Sequence, residues 1–217
     1  MIHSKMAKFL CMLGILMLLG QGLGQANSNR TAKTKQGAIV KNGQVLSVEK
    51  SESRIIVSDQ TGNPIFQWKA EDHNTSLKDC AYSEKHKDFV LLLEIFDPEK
   101  KSYSLVCRGT GFEENVLNDA QAPVGGAAYF EIRTETENKD QWVVFLTKGN
   151  IVSYYNFARD RLLAKEQYPT PVLGVDRSFV DGKNYLILKQ GKGNAVRQFK
   201  KEFSGSRPAR NPLLPME

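Results

Sequence analysis

The chain has 217 residues, of which 41% are hydrophobic and 25% charged, and its formal net charge is +6. These values are ordinary for a globular protein and exclude a disordered, collagen-like or coiled-coil chain. Three cysteines and three histidines offer little material for a metal cluster. The basic residues are spread along the sequence rather than clustered, which argues against a nucleic-acid-binding protein.

The first 26 residues are predicted to be a cleaved signal peptide. Lys5 and Lys8 precede an eleven-residue apolar run, Phe9–Leu19, and supply the positive charge expected before such a run. That run is shorter than the about 20 residues of a membrane-spanning helix but fits the apolar core of a signal sequence. Gly24 and Ala26 supply small residues for cleavage. The sequence therefore predicts a secreted, extracellular protein with no membrane span after cleavage, and the alternative is an uncleaved membrane anchor.

Two cysteines, Cys80 and Cys107, lie beyond the signal peptide. In an oxidising compartment such a pair predicts one disulfide bond, with two free thiols as the alternative. Two Asn-x-Ser/Thr triplets begin at Asn29 and Asn74. They predict N-glycosylation at both positions, in agreement with secretion.

The remaining chain is predicted to hold one domain between two polar segments. Residues 27–36 are polar and are expected to be a disordered lead-in, and the proline-containing residues 204–217 are expected to be a tail. Between them, residues 37–203 alternate short apolar runs with turns. Asn42-Gly43 separates two such runs and is a strong hairpin signal.

The strand pattern predicts an all-β fold of antiparallel hairpins. No helix of ten or more residues is predicted beyond the signal peptide. Hairpins start near Ile55, Phe89, Trp142 and Tyr185, which are 34, 53 and 43 residues apart. This spacing is close to the roughly 40–50 residues of a β-propeller blade. A partial β-propeller is therefore the preferred architecture, and a β-sandwich is the alternative.

Residues 53–112 contain a predicted strand pair, a Lys-Asp-Cys triplet that ends at Cys80, and a strand that ends at Cys107 shortly before Gly-Thr. In these features they resemble the first part of a semaphorin (sema) domain. Arg108 stands between that cysteine and the Gly-Thr pair, which are adjacent in the family. A sema domain is a closed seven-bladed propeller, and this chain has room for about four blades. The resemblance therefore implies a shortened or truncated sema-like domain.

The same resemblance implies a function in recognition rather than catalysis. It implies a secreted, non-enzymatic protein that binds a plexin-type cell-surface receptor in guidance or immune signalling, as a truncated form or as a decoy. No catalytic residue, metal or cofactor is predicted. The sequence does not indicate an oligomeric state or the residues that contact a receptor.

One enzymatic alternative stays open, a secreted β-sandwich that binds or hydrolyses a small ligand. His73 and His86 lie in a polar stretch with several acids that could complete a metal or acid–base site: Glu71, Asp72, Asp79, Glu84 and Asp88. No His-x-x-x-His or Cys-x-x-Cys spacing accompanies them, so a solvated connection is the favoured interpretation. The glycines of this middle region, Gly109, Gly111, Gly125 and Gly126, are interpreted as turn residues.

Overall fold

A computed structural model of the protein describes residues 35–133, 139–180, 183–192, 195–202 and 214–215. The predicted signal peptide and the glycosylation position Asn29 lie outside these residues. Within them, the regular structure is β-strand apart from a 3-10 turn at Phe157–Arg159. No helix in this part of the chain is long and apolar enough to cross a membrane. The predicted all-β fold of antiparallel hairpins is confirmed.

The strands form four four-stranded sheets, and each sheet is an antiparallel meander in which strands adjacent in the chain are paired. In chain order the strands are β1 (Lys35–Lys41), β2 (Gln44–Ser51), β3 (Arg54–Ser58), β4 (Pro64–Lys69), β5 (Thr75–Ser83), β6 (Asp88–Asp97), β7 (Ser102–Gly109), β8 (Phe112–Ala120), β9 (Ala127–Arg133), β10 (Lys139–Thr147), β11 (Ile151–Asn156), β12 (Arg161–Gln167), β13 (Val172–Val180), β14 (Lys183–Lys192), β15 (Ala195–Glu202) and β16 (Leu214–Pro215). We call the sheets β1–β4, β5–β8, β9–β12 and β13–β16 blades 1 to 4.

The blades pack face to face, with the first strand of each blade innermost. Strand β1 contacts β5, β5 contacts β9, and β9 contacts β13. This succession of packed inner strands is the arrangement of β-propeller blades. Among the described residues, β13 makes no comparable contact with β1, so the ring is open. The structure is thus the partial propeller that the strand spacing predicts.

Three apolar cores fill the three junctions between neighbouring blades. The junction of blades 1 and 2 contains Leu46, Ile55, Val57, Leu91 and Leu93 among others. Between blades 2 and 3 lie side chains that include Val90, Leu92, Tyr129, Val143 and Phe145. Blades 3 and 4 bury a set that includes Phe130, Trp142, Val144, Leu186 and Leu188. Each fully buried aliphatic side chain contributes about 1.5–3 kcal/mol of transfer free energy, so these cores are the main source of stability.

The two middle blades differ from blade 1 in how many faces they bury. Strands β6 and β10 are buried on both faces, which explains their nearly continuous apolar sequences. Strand β2 instead alternates: Leu46 and Val48 are buried, whereas Val45 is 58% exposed and Ser47 and Glu49 are exposed. This alternation gives blade 1 a largely polar outer face. An open array with such an end can face water, as the terminal repeats of solenoid proteins do.

Several boundaries differ from the sequence-based expectation. Strand β1 begins at Lys35, inside the predicted lead-in, because the pairing of β1 with β2 extends to the register pair of Lys35 and Lys50. Strand β16 lies inside the predicted tail and pairs with β15. The predicted hairpin at Asn42-Gly43 is confirmed, and both residues have the positive φ angles, 48° and 78°, that a two-residue hairpin turn requires.

The predicted disulfide bond between Cys80 and Cys107 is wrong. Both cysteines are free and buried. Cys80 pairs with Leu91 and belongs to the core of blades 1 and 2, whereas Cys107 pairs with Leu92 and belongs to the core of blades 2 and 3. The thiols therefore point to opposite faces of one sheet. Strand β6 also separates their strands, which places them about 10 Å apart, beyond the about 7 Å that a disulfide tolerates.

We expect both thiols to be unreactive in the folded protein. Burial raises the pKa of each cysteine far above its ordinary value, so the reactive thiolate is scarce. Iodoacetamide should label neither Cys80 nor Cys107 in native buffer and should label both in guanidinium chloride without a reductant. Peptide mass mapping checks this result. A Cys80–Cys107 linked peptide in the non-reduced digest would contradict the structure.

Candidate functional site

The four inner strands end on the same side of the blade array, and we call that side the hairpin face. It carries the turns that follow β1 and β5, at Asn42-Gly43 and Glu84–Lys87, and the ends of β9 and β13. The connections that lead from one blade to the next, residues 70–74, 121–126 and 168–171, lie on the opposite side, the connection face.

The structure separates the two histidines of the enzymatic alternative. His73 precedes β5 on the connection face, and His86 follows β5 on the hairpin face. A nine-residue strand lies between them, and at about 3.3 Å per residue it is about 30 Å long. Glu84 and Asp88 accompany His86, while Asp79 is buried within β5. A pocket that gathers both histidines with these acids is therefore not formed, and the described residues hold no group of three or more metal-ligating side chains.

A carboxylate on blade 3 holds the β5–β6 turn of blade 2 in place. Glu131 accepts hydrogen bonds from the Ser83 hydroxyl at 2.7 Å and from the backbone N–H groups of Glu84 at 2.7 Å and Lys85 at 3.2 Å. Successive backbone N–H groups of this kind form a natural anion-binding concavity. The concavity is occupied by the protein's own carboxylate, which fixes the conformation of the turn.

His86 takes part in the same network through a directed chain of hydrogen bonds. Its Nε2 lies 3.2 Å from the Gln141 side-chain oxygen, and its ring stacks on Phe112 with centroids 4.1 Å apart. The Gln141 amide donates to the Tyr129 hydroxyl at 2.6 Å, and that hydroxyl lies 3.4 Å from Glu131. Because the Gln141 amide nitrogen is already a donor, its oxygen accepts and Nε2 of His86 donates.

Further contacts extend the network to all four blades. The backbone N–H of Asn42, on blade 1, donates to the Glu84 carboxylate at 2.9 Å. Lys139, on blade 3, lies 3.4 Å from the same carboxylate. The Asn184 side chain, on blade 4, donates to the backbone oxygen of Glu131 at 3.5 Å. The hairpin face is therefore a polar surface whose loops are connected across every junction between blades.

A buried ion cluster fixes the inner strands below the hairpin face. Asp79 lies 3.3 Å from Arg177 on blade 4 and 3.6 Å from Lys50 on blade 1, and it accepts the Tyr129 N–H of blade 3 at 3.0 Å. Arg177 also donates to the backbone oxygen of Cys80 at 2.7 Å. Burial by itself would raise the pKa of Asp79, but the two cations and the N–H outweigh it and hold that pKa below its ordinary value. One carboxylate thus joins side chains or backbone from four blades.

A second polar contact lies farther out in the junction of blades 2 and 3. The Tyr155 hydroxyl is 2.9 Å from Glu114 and 2.8 Å from Asp160. Burial and the two carboxylates raise the pKa of Tyr155, so the phenol stays protonated. It has one proton for two acceptors, and it serves as a structural donor at the rim of the core.

The remaining residues singled out in the sequence occupy structural positions or stay as predictions. Asn74 lies half-buried in the β4–β5 connection, and its glycosylation stays a prediction. Gly111 has a positive φ of 83° and is a turn residue, as interpreted. Gly125 and Gly126 are instead sites of close packing, since an added Cβ would meet Leu146 or the backbone of Val175.

Glu131, Gln141 and Arg177 were missed by the sequence-based reasoning. In the sequence they lie 48, 55 and 98 residues from their respective partners Ser83, His86 and Asp79, and no local motif links them. The only indication was the polar residues within otherwise apolar strands, Glu131 in AAYFEIR and Gln141 before WVVFL.

No protein-family model matches the chain, and no curated protein matches it. Three solved structures are similar in the arrangement of the backbone. A protein of unknown function from Bacteroides caccae has 10% identity and a TM-score of 0.46, with 82% of this chain and 60% of that chain covered. BBS1N in complex with ARL6DN has 11% identity and a TM-score of 0.44, with 82% of this chain and 68% of that chain covered. Dihydro-heme d1 dehydrogenase NirN has 12% identity and a TM-score of 0.33, with 80% of this chain and 48% of that chain covered. The chain spans 60% of the length of the first of these structures.

Proposed function

We propose that this protein is a secreted, non-enzymatic recognition protein that binds the ectodomain of a plexin-type cell-surface receptor through its hairpin face. The proposal rests on one structural observation, the hydrogen-bonded network that links the loops of this face across all four blades. The sema-like residues 53–112 supply the choice of receptor class, with a role in guidance or immune signalling as a truncated or decoy form.

A preorganised face favours binding because less conformational freedom is lost on association. The β5–β6 turn is the best example. Glu131 fixes its backbone through Glu84 and Lys85, and the Ser83 hydroxyl accepts the N–H of His86 at 3.1 Å. The backbone of this turn is therefore held, while the Lys85 and Lys87 side chains are directed to solvent.

The charge of this turn favours an acidic partner surface. Lys85 and Lys87 are exposed, and the Lys87 side chain is 71% accessible. Lys87 lies 3.7 Å from Glu84, an exposed pair that contributes little to stability. Exposed cations at the rim of an interface increase the association rate with an acidic partner more than they increase the final affinity.

Reversing the charge of this turn is expected to weaken receptor binding. In surface plasmon resonance against immobilised plexin ectodomain, the variant Lys85→Glu/Lys87→Glu should bind about tenfold or more weakly than wild type. Most of that loss should be in the association rate, and raising the salt concentration should reduce the difference.

The β6–β7 turn offers a matched control on the connection face. Lys100 and Lys101 are exposed, Lys100 lies 3.5 Å from Asp97, and Lys101 has a positive φ of 52°, close to the 56° of Lys87. The variant Lys100→Glu/Lys101→Glu makes the same charge change in the same blade and should bind like wild type. Equal weakening by both variants, or no binding of wild type at micromolar concentration, would contradict the proposal.

A further inference from the structure

The β1–β2 turn contains the one Asn-Gly pair in the sequence, Asn42-Gly43. Both residues are exposed, and Gly43 lies beyond the last register pair of the β1–β2 ladder, Lys41 and Gln44. The Gly43 nitrogen is therefore not held in the ladder. Because glycine has no Cβ, its nitrogen is also less shielded than that of any other residue. A backbone nitrogen in this setting can reach the carbonyl carbon of the preceding asparagine side chain.

The Asn42 side chain is also the part of this turn that contacts blade 2. With its nitrogen facing Glu84, the Asn42 amide lies 3.1 Å and 3.2 Å from the two carboxylate oxygens. The Asn42 backbone N–H donates to one of the same oxygens at 2.9 Å. An ionised carboxylate can only accept hydrogen bonds, so both contacts require a donor at position 42. An amide side chain supplies one, and a carboxylate side chain would not.

Other contacts hold Glu84 in its place on blade 2. Its carboxylate lies 3.4 Å from Lys139 of blade 3 and 3.7 Å from Lys87, and its backbone N–H donates to Glu131 at 2.7 Å. Burial by itself would raise the pKa of Glu84, but the Asn42 N–H and the two lysines outweigh it and hold that pKa below its ordinary value. Glu84 is therefore ionised at neutral pH. A new negative charge at position 42 would displace the β1–β2 turn rather than Glu84.

We infer that Asn42 is a site of spontaneous deamidation and that the reaction detaches the β1–β2 turn of blade 1 from Glu84 of blade 2. The Gly43 nitrogen forms a bond to the side-chain carbonyl carbon of Asn42. The bond from that carbon to the side-chain nitrogen breaks, and this nitrogen leaves as ammonia with the proton of the Gly43 N–H. Water then opens the resulting succinimide at either carbonyl, which gives aspartate or isoaspartate. Both products carry a carboxylate at position 42, and isoaspartate also lengthens the backbone of the turn.

Incubation of the purified full chain in mildly alkaline buffer tests the reaction. Peptide mass mapping should show a time-dependent conversion of Asn42 to aspartate and isoaspartate. Asn63 is the internal control, because it is equally exposed in the β3–β4 turn of the same blade but precedes Pro64. The proline nitrogen carries no proton, so a succinimide cannot form there, and Asn63 should stay unmodified. An Asn42 that is not converted, or an Asn63 that is converted as fast, would overturn the inference.

Hydrogen exchange tests the structural consequence, with Asn42→Asp as a stable equivalent of one product. Exchange of the backbone N–H groups of residues 40–45 should be about tenfold faster than in wild type, because the hydrogen bond from residue 42 to Glu84 is lost. In a Glu84→Gln background the same substitution should have a much smaller effect, since glutamine is uncharged and can donate to the new carboxylate. Asn63→Asp adds the same charge to blade 1 away from Glu84 and should leave this exchange unchanged.

Three results would overturn the structural part of the inference. Asn42→Asp would exchange like wild type, Asn63→Asp would accelerate exchange of residues 40–45 as much, or the Glu84→Gln background would not reduce the effect. Circular dichroism confirms that the variants are folded. None of these readouts depends on whether a plexin ectodomain binds the hairpin face.

Discussion

Replacing Asp79 with asparagine is expected to lower the free energy of unfolding by about 3–5 kcal/mol, the usual cost of removing one partner from a buried ion pair. The substitution keeps the size of the side chain but removes its charge. Arg177 would then stay buried without its anion, and Lys50 would lose its partner on blade 2. Because the Asp79 cluster joins all four blades, the loss should appear as one cooperative shift of a urea unfolding curve.

The effect of Asp79 on stability should depend on pH with a defined sign. Its pKa in the folded protein is held below the ordinary value by Arg177 and Lys50, against the effect of burial. A depressed folded-state pKa contributes stability above the unfolded value of about 3.9, and that contribution is lost as the pH falls through the lower folded value. The difference between wild type and Asp79→Asn should therefore be full at neutral pH and narrow as the pH falls below about 4.

Asp97 provides the comparison for this experiment, since it is a partly exposed acid of the same blade that lies 3.5 Å from Lys100. Asp97→Asn should leave the unfolding curve nearly unchanged, because asparagine keeps an oxygen that can accept the Glu99 and Lys100 N–H groups. The ion pair with Lys100 is at the surface, where such pairs contribute little. The account of the Asp79 cluster would be wrong if Asp79→Asn unfolded like Asp97→Asn, or if its difference from wild type were the same at pH 3 and pH 7.

Replacing Gly126 with alanine should also destabilise the fold, by about 1–3 kcal/mol. An added Cβ at Gly126 would lie 2.8 Å from the backbone nitrogen and 3.0 Å from the backbone oxygen of Val175. These atoms belong to β13, so the clash could be relieved only by moving blade 4 away from blade 3. A backbone cannot rotate aside as a flexible side chain does, and the cost is therefore expected to be large for one methyl group.

Gly37→Ala is the matched control for that substitution. Gly37 lies in β1, an added Cβ there meets nothing within 4 Å, and its φ is not positive. Alanine at such a position should leave stability unchanged or raise it slightly, because it restricts the unfolded chain. Thermal unfolding of both variants checks the difference. Equal melting temperatures would show that the backbones of blades 3 and 4 do not approach closely at Gly126.

The strand pattern was predictable where strands are buried, and it was missed where a strand is solvated. Apolar runs such as Phe89–Phe96 and the turn at Asn42-Gly43 were sufficient to place most hairpins. Strand β8, Phe112–Ala120, is the edge strand of blade 2 and carries Glu113, Glu114, Asn118 and Asp119, so its polar sequence contains no apolar run from which a strand could be predicted. Edge strands carry such charges because they discourage pairing with other molecules.

The cysteine pairing failed because it depends on which face of the sheet each residue occupies. Lys78 is the extra residue of a β-bulge between Leu77 and Asp79 in β5. The bulge reverses the alternation of side chains, so that Cys80 faces blade 1 and Asp79 faces the junction with blade 3. A one-residue shift of this kind exchanges the two faces of a strand. The composition of the segment does not reveal it, and the same bulge hid the Asp79 cluster.

Photo-crosslinking tests the proposed recognition function most directly. A single cysteine introduced at position 87, on the hairpin face, or at position 101, on the connection face, can carry a benzophenone label, since burial protects Cys80 and Cys107 from labelling. With plexin ectodomain, the labelled Lys87→Cys variant should form a cross-linked product on illumination, and the labelled Lys101→Cys variant should not. Cross-linking from position 101 alone, or from neither position, would contradict the proposal that the hairpin face binds a plexin-type receptor.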